Sequence, residues 1–376
     1  MIKHLPLLLF IGLAFWSCED EKSGEDNLPI SFTNYFNFTN FDVGLSIEEI
    51  SGEGYIILAG SDTSIYGHLT KLHLIKTDIN GETVWIKENF YENDSTYGEN
   101  PNFLKPTLDN GFIISGRPSI KLNSIGEIDF TYPSPIYPTN DGGNILFNFE
   151  IYFDFNSFIF VPVFTLSKLS NGGELYWEKY LNDELIQLDT NFNLSAIEAY
   201  NIIEDIDNNF YLSARLTVSY YPYDYYTTLI KINNEGNVIW AKIYYDEESL
   251  FEVSHQTSDG GFIAMGDGLL KLNSEGLVEW RKTEISGIVK QTTDNGYIIA
   301  SHNGSVILLI KVNELGTLMW EKSIECENNL EKQFLDVKQT IDGGFIIASS
   351  KAVSDLNHAV IIIKTDSEGN YLELND

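Results

Sequence analysis

Apolar residues along this chain fall in runs of strand length bounded by Gly, Asn and Asp, and the 3.6-residue spacing of an amphipathic helix is missing. One recurring unit is a turn followed by an apolar strand, as in Asp342-Gly343-Gly344-Phe345-Ile346-Ile347-Ala348. Related forms open at Gly54, Asp109, Asp141, Asp207, Asp259 and Asp294, which makes seven. Such Gly and Asn pairs between apolar strands are the strongest local signal for a hairpin, because a type I′ turn needs positive φ. Each unit therefore marks a hairpin joining two strands.

A second unit alternates with the first. It is a strand ending in Lys, then four residues, then Gly: Lys76 to Gly81, Lys121 to Gly126, Lys168 to Gly173, Lys231 to Gly236, Lys271 to Gly276, Lys311 to Gly316 and Lys364 to Gly369. Four residues beyond the Gly stands Trp85, Trp177, Trp240, Trp280 or Trp320, while Phe130 and Glu373 hold that slot in the other two copies. A large ring there can fill the gap between neighbouring sheets. Successive lysines lie 45, 47, 63, 40, 40 and 53 residues apart, which suits a repeat of two hairpins and four strands.

The fold expected is all-β: a β-propeller of seven four-stranded blades, with six or eight also compatible. Blade limits fall near 47–90, 101–134, 139–182, 197–245, 251–284, 286–325 and 332–374. The apolar stretch from Phe149 to Phe155 enters blade 3 as an insertion or an extra strand pair. Two roles fit Ile30 to Phe41: a strand that locks the ring against the last blade, or an extension packed across one face. Residues Gly369 to Leu374 already offer a last strand.

The pattern Lys76-Thr77-Asp78-Ile79-Asn80-Gly81-Glu82-Thr83-Val84-Trp85 resembles the Trp-docking repeat of quinoprotein-type propellers. Together with Asp-Gly-Gly-Phe-Ile-Ile it is still more similar to the repeats of Bacteroidetes propeller lipoproteins, over roughly residues 47 to 374. The quinone- and calcium-holding residues of the dehydrogenases have no match here, so the resemblance implies a non-catalytic propeller and no cofactor.

The N-terminus changes the picture from fold to address. Lys3 and His4 precede an apolar run from Leu5 to Trp16, too short to span a bilayer and right for a signal-peptide core. Ser17-Cys18 then resembles a bacterial lipobox, which implies residues 1–17 as leader and acylation of Cys18. The acidic stretch within 18–29 reads as a flexible tether ahead of a propeller domain at 30–376. It also resembles the export signal of Bacteroidetes surface lipoproteins, which implies the outer face of the outer membrane. The other reading is a soluble periplasmic protein cleaved elsewhere.

Charge and chemistry narrow the function. A formal net charge of −32 excludes nucleic acid as a partner, because phosphate binding needs clustered Lys and Arg. Cys326, the second of two cysteines, reads as a small half-buried residue. His68, His73, His255, His302 and His358 show no metal-ligand spacing, and His255 and His302 are the two that flank repeat strands near the channel. Shared residues serve the fold, so function belongs where repeats differ.

The distinctive loop is Ser219-Tyr220-Tyr221-Pro222-Tyr223-Asp224-Tyr225-Tyr226, whose rings and hydroxyls suit a sugar or a protein partner, or cover a neighbouring blade. Phe130 to Pro138 reads as a proline-stiffened loop. The function expected is a surface-anchored, non-catalytic binding or scaffolding lipoprotein for a glycan or protein. The alternative is a carbohydrate-active enzyme, a lyase or glycosidase, with titratable groups converging at the channel.

Overall fold

The computed structural model describes residues 31–62, 69–92, 99–154, 159–181, 194–218, 224–245, 251–303, 306–325, 336–354 and 357–371. Cys18, His68, Tyr220, Tyr221, Tyr223, Cys326 and Glu373 lie outside the described residues. The strands, β1 to β28 in chain order, form seven four-stranded antiparallel sheets. This is the seven-bladed β-propeller, and among the described residues there is no helix.

Blades 1 to 6 occupy 42–92, 99–132, 136–180, 194–244, 251–282 and 288–325, within a few residues of the expected limits. Their innermost strands are β2 (Asp42–Ile50), β6 (Glu99–Pro106), β10 (Ile136–Pro138), β14 (Leu194–Glu204), β18 (Phe251–Gln256) and β22 (Ile288–Gln291). Blade 7 runs outward from β26 (Asp336–Gln339) through β27 (Phe345–Ser354) to β28 (Asn357–Thr365), and its fourth strand is β1 (Phe32–Phe36).

The N-terminal strand therefore closes the ring. Phe32 pairs with Lys364 just as Trp320 pairs with Lys311 and Trp85 with Lys76, so Phe32 holds the position that Trp holds elsewhere. It lies against Gly81 of blade 1, and Asn34 Nδ2 donates to the Gly81 carbonyl at 2.5 Å. The expectation that residues after Gly369 supply the last strand is corrected: β1 takes the edge of β28. A cross-ring strand satisfies backbone groups that would otherwise stay unpaired at the seam.

Two further expectations change. In the first hairpin Gly343 N donates to Thr340 O at 2.9 Å, and Thr340 N to Gly344 O at 2.9 Å. Blade 1 has both Gly52 (73°) and Gly54 (114°) at positive φ, whereas in blades 2 to 7 only one residue per turn has it, as Gly343 (85°) here and Asn110 (61°) in blade 2. That is a type I turn followed by one left-handed residue, not type I′. In blade 3 the apolar stretch adds no strand pair. It lengthens the central hairpin, β11 (Asn144–Asp154) pairing with β12 (Ile159–Leu169) along its whole length.

Candidate functional site

The repeat residues come first, because they explain most of the conspicuous chemistry. The strand Lys and the turn Asp are partners in five blades, and in blade 1 Lys76 pairs with Glu53 instead. Lys364, with no exposed surface, reaches Asp342 at 2.9 Å, and the same pair recurs as Lys311–Asp294, Lys271–Asp259, Lys168–Asp141 and Lys121–Asp109. Each Asp also takes a hydroxyl hydrogen bond from the turn Thr, as Thr340 to Asp342 at 2.5 Å. The second Gly of the turn makes room. A Cβ on Gly344 would stand 2.1 Å from the Thr365 carbonyl oxygen and 2.4 Å from Lys364 Nζ.

Blade 4 departs in an instructive way. Asn209 replaces that Gly, and Asp205, not Asp207, faces Lys231 at 3.6 Å.

Burial alone would raise these carboxyls, but hydrogen bonds from Lys and Thr outweigh it and hold Asp141 and Asp259 at about 2. Asp294 and Asp342 are lowered by the same opposition. A depressed carboxyl stabilises the fold above its unfolded pKa of about 4 and loses that contribution as pH falls toward its folded value. The denaturant midpoint should therefore drop steeply between pH 4 and pH 2. An unchanged midpoint across that interval would show that the pairs contribute nothing.

The five Trp residues are half-buried and architectural. A Cβ on the turn glycine of the following blade would sit 2.8 to 3.5 Å from the ring: Trp85 beside Gly126, Trp177 beside Gly236, Trp240 beside Gly276, Trp280 beside Gly316 and Trp320 beside Gly369. Blade 2, with Phe130 in the slot, uses Tyr132 instead, whose hydroxyl donates to the Gly173 carbonyl. This also corrects the reading of Phe130 to Pro138 as a loop: Ile128–Tyr132 and Ile136–Pro138 are strands.

What differs between blades is the channel. A cavity of about 930 Å³ runs between the innermost strands. The position two residues before the turn Thr supplies Lys105, Tyr137, Lys290 and Lys338 in blades 2, 3, 6 and 7, and Glu48, two before Ile50, holds the same place in blade 1, each opposite an Ile of the next strand. Bulges in β14 and β18 shift the register, so blades 4 and 5 contribute Glu198, Tyr200, Asn201, Glu252 and Ser254. Arg117, Arg215 and Asp336 complete the charged lining, and Phe103, Phe147 and Phe149 add rings.

Five basic groups and four carboxylates thus share the channel of a protein whose net charge is −32. Some are paired. Lys338 bridges to Glu48, and Arg215 to Glu198 with its guanidinium 5.3 Å from the centre of the Tyr225 ring. Asp336 accepts from Ser46 Oγ at 2.9 Å and Ile47 N at 3.1 Å, tying blade 7 to blade 1. Enclosure pushes Glu252 up to about 7, with Lys290 alone opposing it. Desolvation, then Lys290, brings Lys105 down to about 8.

The histidines join blades. His255 Nε2 accepts from Gln291 N at 2.8 Å, and burial, with Lys290 and Lys105 nearby, lowers it to about 3. His302 contacts Ser349 at 3.0 Å. His73 stacks on Phe38 with ring centres 4.0 Å apart and is lowered by burial to about 4. No cluster of His, Cys, Asp and Glu suited to a metal occurs among the described residues. Of the tyrosine loop, Tyr225 and Tyr226 are described, on strand β16 (Asp224–Ile232). Through Arg215 the first of them meets the channel wall.

Among solved structures the propeller is similar to the polysaccharide lyase Uly1, with a TM-score of 0.50 and 8% identity over 88% of this chain and 91% of that one. The Malassezia sympodialis allergen Mala s 1 gives 0.44 and 10% over 73% and 96%. The Trypanosoma rangeli sialidase bound to the inhibitor DANA gives 0.44 and 8% over 87% and 55%. These likenesses concern the fold alone. No protein-family model matches the sequence, and no curated protein matches it.

Proposed function

We propose that this protein is a lipid-anchored binding propeller, acylated at Cys18 and carried on the outer face of the outer membrane, whose glycan or protein ligand enters the central channel. The observation that carries the reading is the contrast within one repeat. Positions in the turns and outer strands keep their Lys, Asp, Gly and Trp, whereas the position facing the channel changes from Glu to Lys to Tyr around the ring. A cavity of about 930 Å³ has the size of a ligand pocket and combines aromatic faces with charged groups.

Narrowing the channel tests this. Ser254→Trp, with its indole directed into the lumen, should abolish binding of any ligand found on a glycan array or by capture of protein partners, with the thermal midpoint kept. Retained binding would move the ligand to another surface, with Tyr225→Ala and Tyr226→Ala the next variants.

One observation favours the enzyme reading. Glu198, Tyr200, Arg215 and Glu252 line the same part of the channel, and a carboxyl titrating near 7 is poised to give or take a proton at neutral pH. A lyase or glycosidase would release product in an amount that Glu252→Gln lowers at least a hundredfold without loss of binding.

A further inference from the structure

Eight lysines on the blade strands have a carboxylate within ion-pair distance: Lys76, Lys121, Lys168, Lys231, Lys271, Lys311, Lys338 and Lys364. Lys105 and Lys290 face the same enclosed channel from blades 2 and 6, and among the described residues neither has such a partner. Lys105 lies over the Phe103 ring, 4.6 Å from its centre, and Glu48 acts on it only from a distance, its own ion pair being with Lys338. Between them around the ring stand Lys338 of blade 7 and Glu48 of blade 1, which neutralise each other.

Two like charges held in one enclosure destabilise the empty protein, because each desolvated cation raises the cost of the other. The chain has 55 acidic residues against 23 basic ones, and carboxylates were the simplest way to relieve that cost. Glu48 acts on Lys105 and Glu252 on Lys290 across the channel, but among the described residues neither carboxylate stands within ion-pair distance of these lysines.

We propose that Lys105 and Lys290 form the anion-binding centre of the channel, and that the ligand is an acidic oligosaccharide whose carboxylate or sulfate group seats between them while its rings lie on the aromatic wall. The inference rests on the channel reading given above and deepens it. Phe103 and Tyr200, both only half-buried, offer the flat faces that sugar rings stack on. An acidic exterior makes the charged lumen selective as well: outside it, an anion meets a surface of the wrong sign.

The pH dependence has a definite sign. The groups facing Lys105 are Lys290, Lys338 and Glu48, those facing Lys290 include Glu252, and His255 stays neutral near both. Raising the pH ionises Glu252 near 7 and discharges Lys105 near 8, and both changes disfavour an anion. Affinity should be highest below pH 7 and fall through pH 8.

The experiment is an array of acidic and neutral oligosaccharides matched in length, read with the full-length chain, followed by titration calorimetry on the best probe and on oligogalacturonate with maltotetraose as its neutral control. Acidic members should dominate. Affinity should fall at least tenfold in Lys105→Gln and again in Lys290→Gln, with unchanged thermal midpoints, and weaken with added salt. Equal binding of acidic and neutral probes, affinity indifferent to both substitutions, or no acidic probe bound would overturn the proposal. If a neutral probe binds and Ser254→Trp abolishes it, the channel reading stands while the anion centre falls. If bound probes ignore Ser254→Trp, both fall.

Discussion

Deleting residues 32–36 should lower the thermal midpoint by about 10 °C or raise the oligomeric state above that of the parent chain. Without β1 the last blade keeps an exposed, apolar edge along β28, and Phe36 leaves a core that holds Ile47, Ile57, Val360 and Ile362. Phe32→Ala alone removes the ring set against Gly81 and should cost about 2 to 3 kcal/mol, the lower range for a Phe that is only half-buried. Differential scanning calorimetry with light scattering decides the matter. A deleted chain that melts at the parent temperature in the parent's oligomeric state would mean that the ring closes some other way.

The second large effect concerns the buried lysines. Asp342→Ala leaves Lys364 charged, fully buried and without its carboxylate, and should destabilise the fold by about 3 kcal/mol. Pairing it with Lys364→Met should recover most of the loss, since an apolar chain of similar volume needs no counter-charge. Asp207→Ala is the discriminating control. Its place in the repeat matches Asp342, yet the structure gives the pairing role in blade 4 to Asp205, so Asp207→Ala should change stability by under about 0.5 kcal/mol. Equal losses from the two alanines in chemical denaturation would refute the assignment.

The blades were legible because each one repeats constraints that few residues satisfy. A left-handed residue closes each turn, a Cβ-free position lets Lys364 pass Gly344, and Trp320 packs on Gly369 at a fixed interval. The seam was only half legible. Phe32 sits far from Lys364 in sequence and carries no repeat signal around it, so its equivalence to Trp appears only in the pairing register. Turn type was misread because Asp-Gly-Gly suits two hairpin geometries, and the choice between them depends on the Thr and Lys that hold the Asp.

The candidate site was harder. The tyrosines clustered at 220–226 are unusual in composition, yet of those described Tyr225 meets the channel wall only through Arg215. The lining itself was visible in principle, as the column two residues before each turn Thr that reads Lys105, Tyr137, His255, Lys290 and Lys338. A column that changes so much inside so regular a repeat has no role in the shared fold. Bulges in blades 4 and 5 break it, which hides Glu198, Tyr200 and Glu252 from any fixed spacing.

The direction of β1 has one last consequence. Its first residue lies level with Lys364, at the end of the ring where the short turns gather, and its last lies level with Val360 toward the opposite end. Whatever precedes Phe32 therefore leaves from the turn face. If Cys18 is acylated, the anchor precedes Phe32 in the chain and would hold the short turns toward the lipid. The opposite mouth, where Arg215 meets Tyr225, would then open to the surroundings, and a ligand arriving from outside the cell would reach the channel without passing the bilayer.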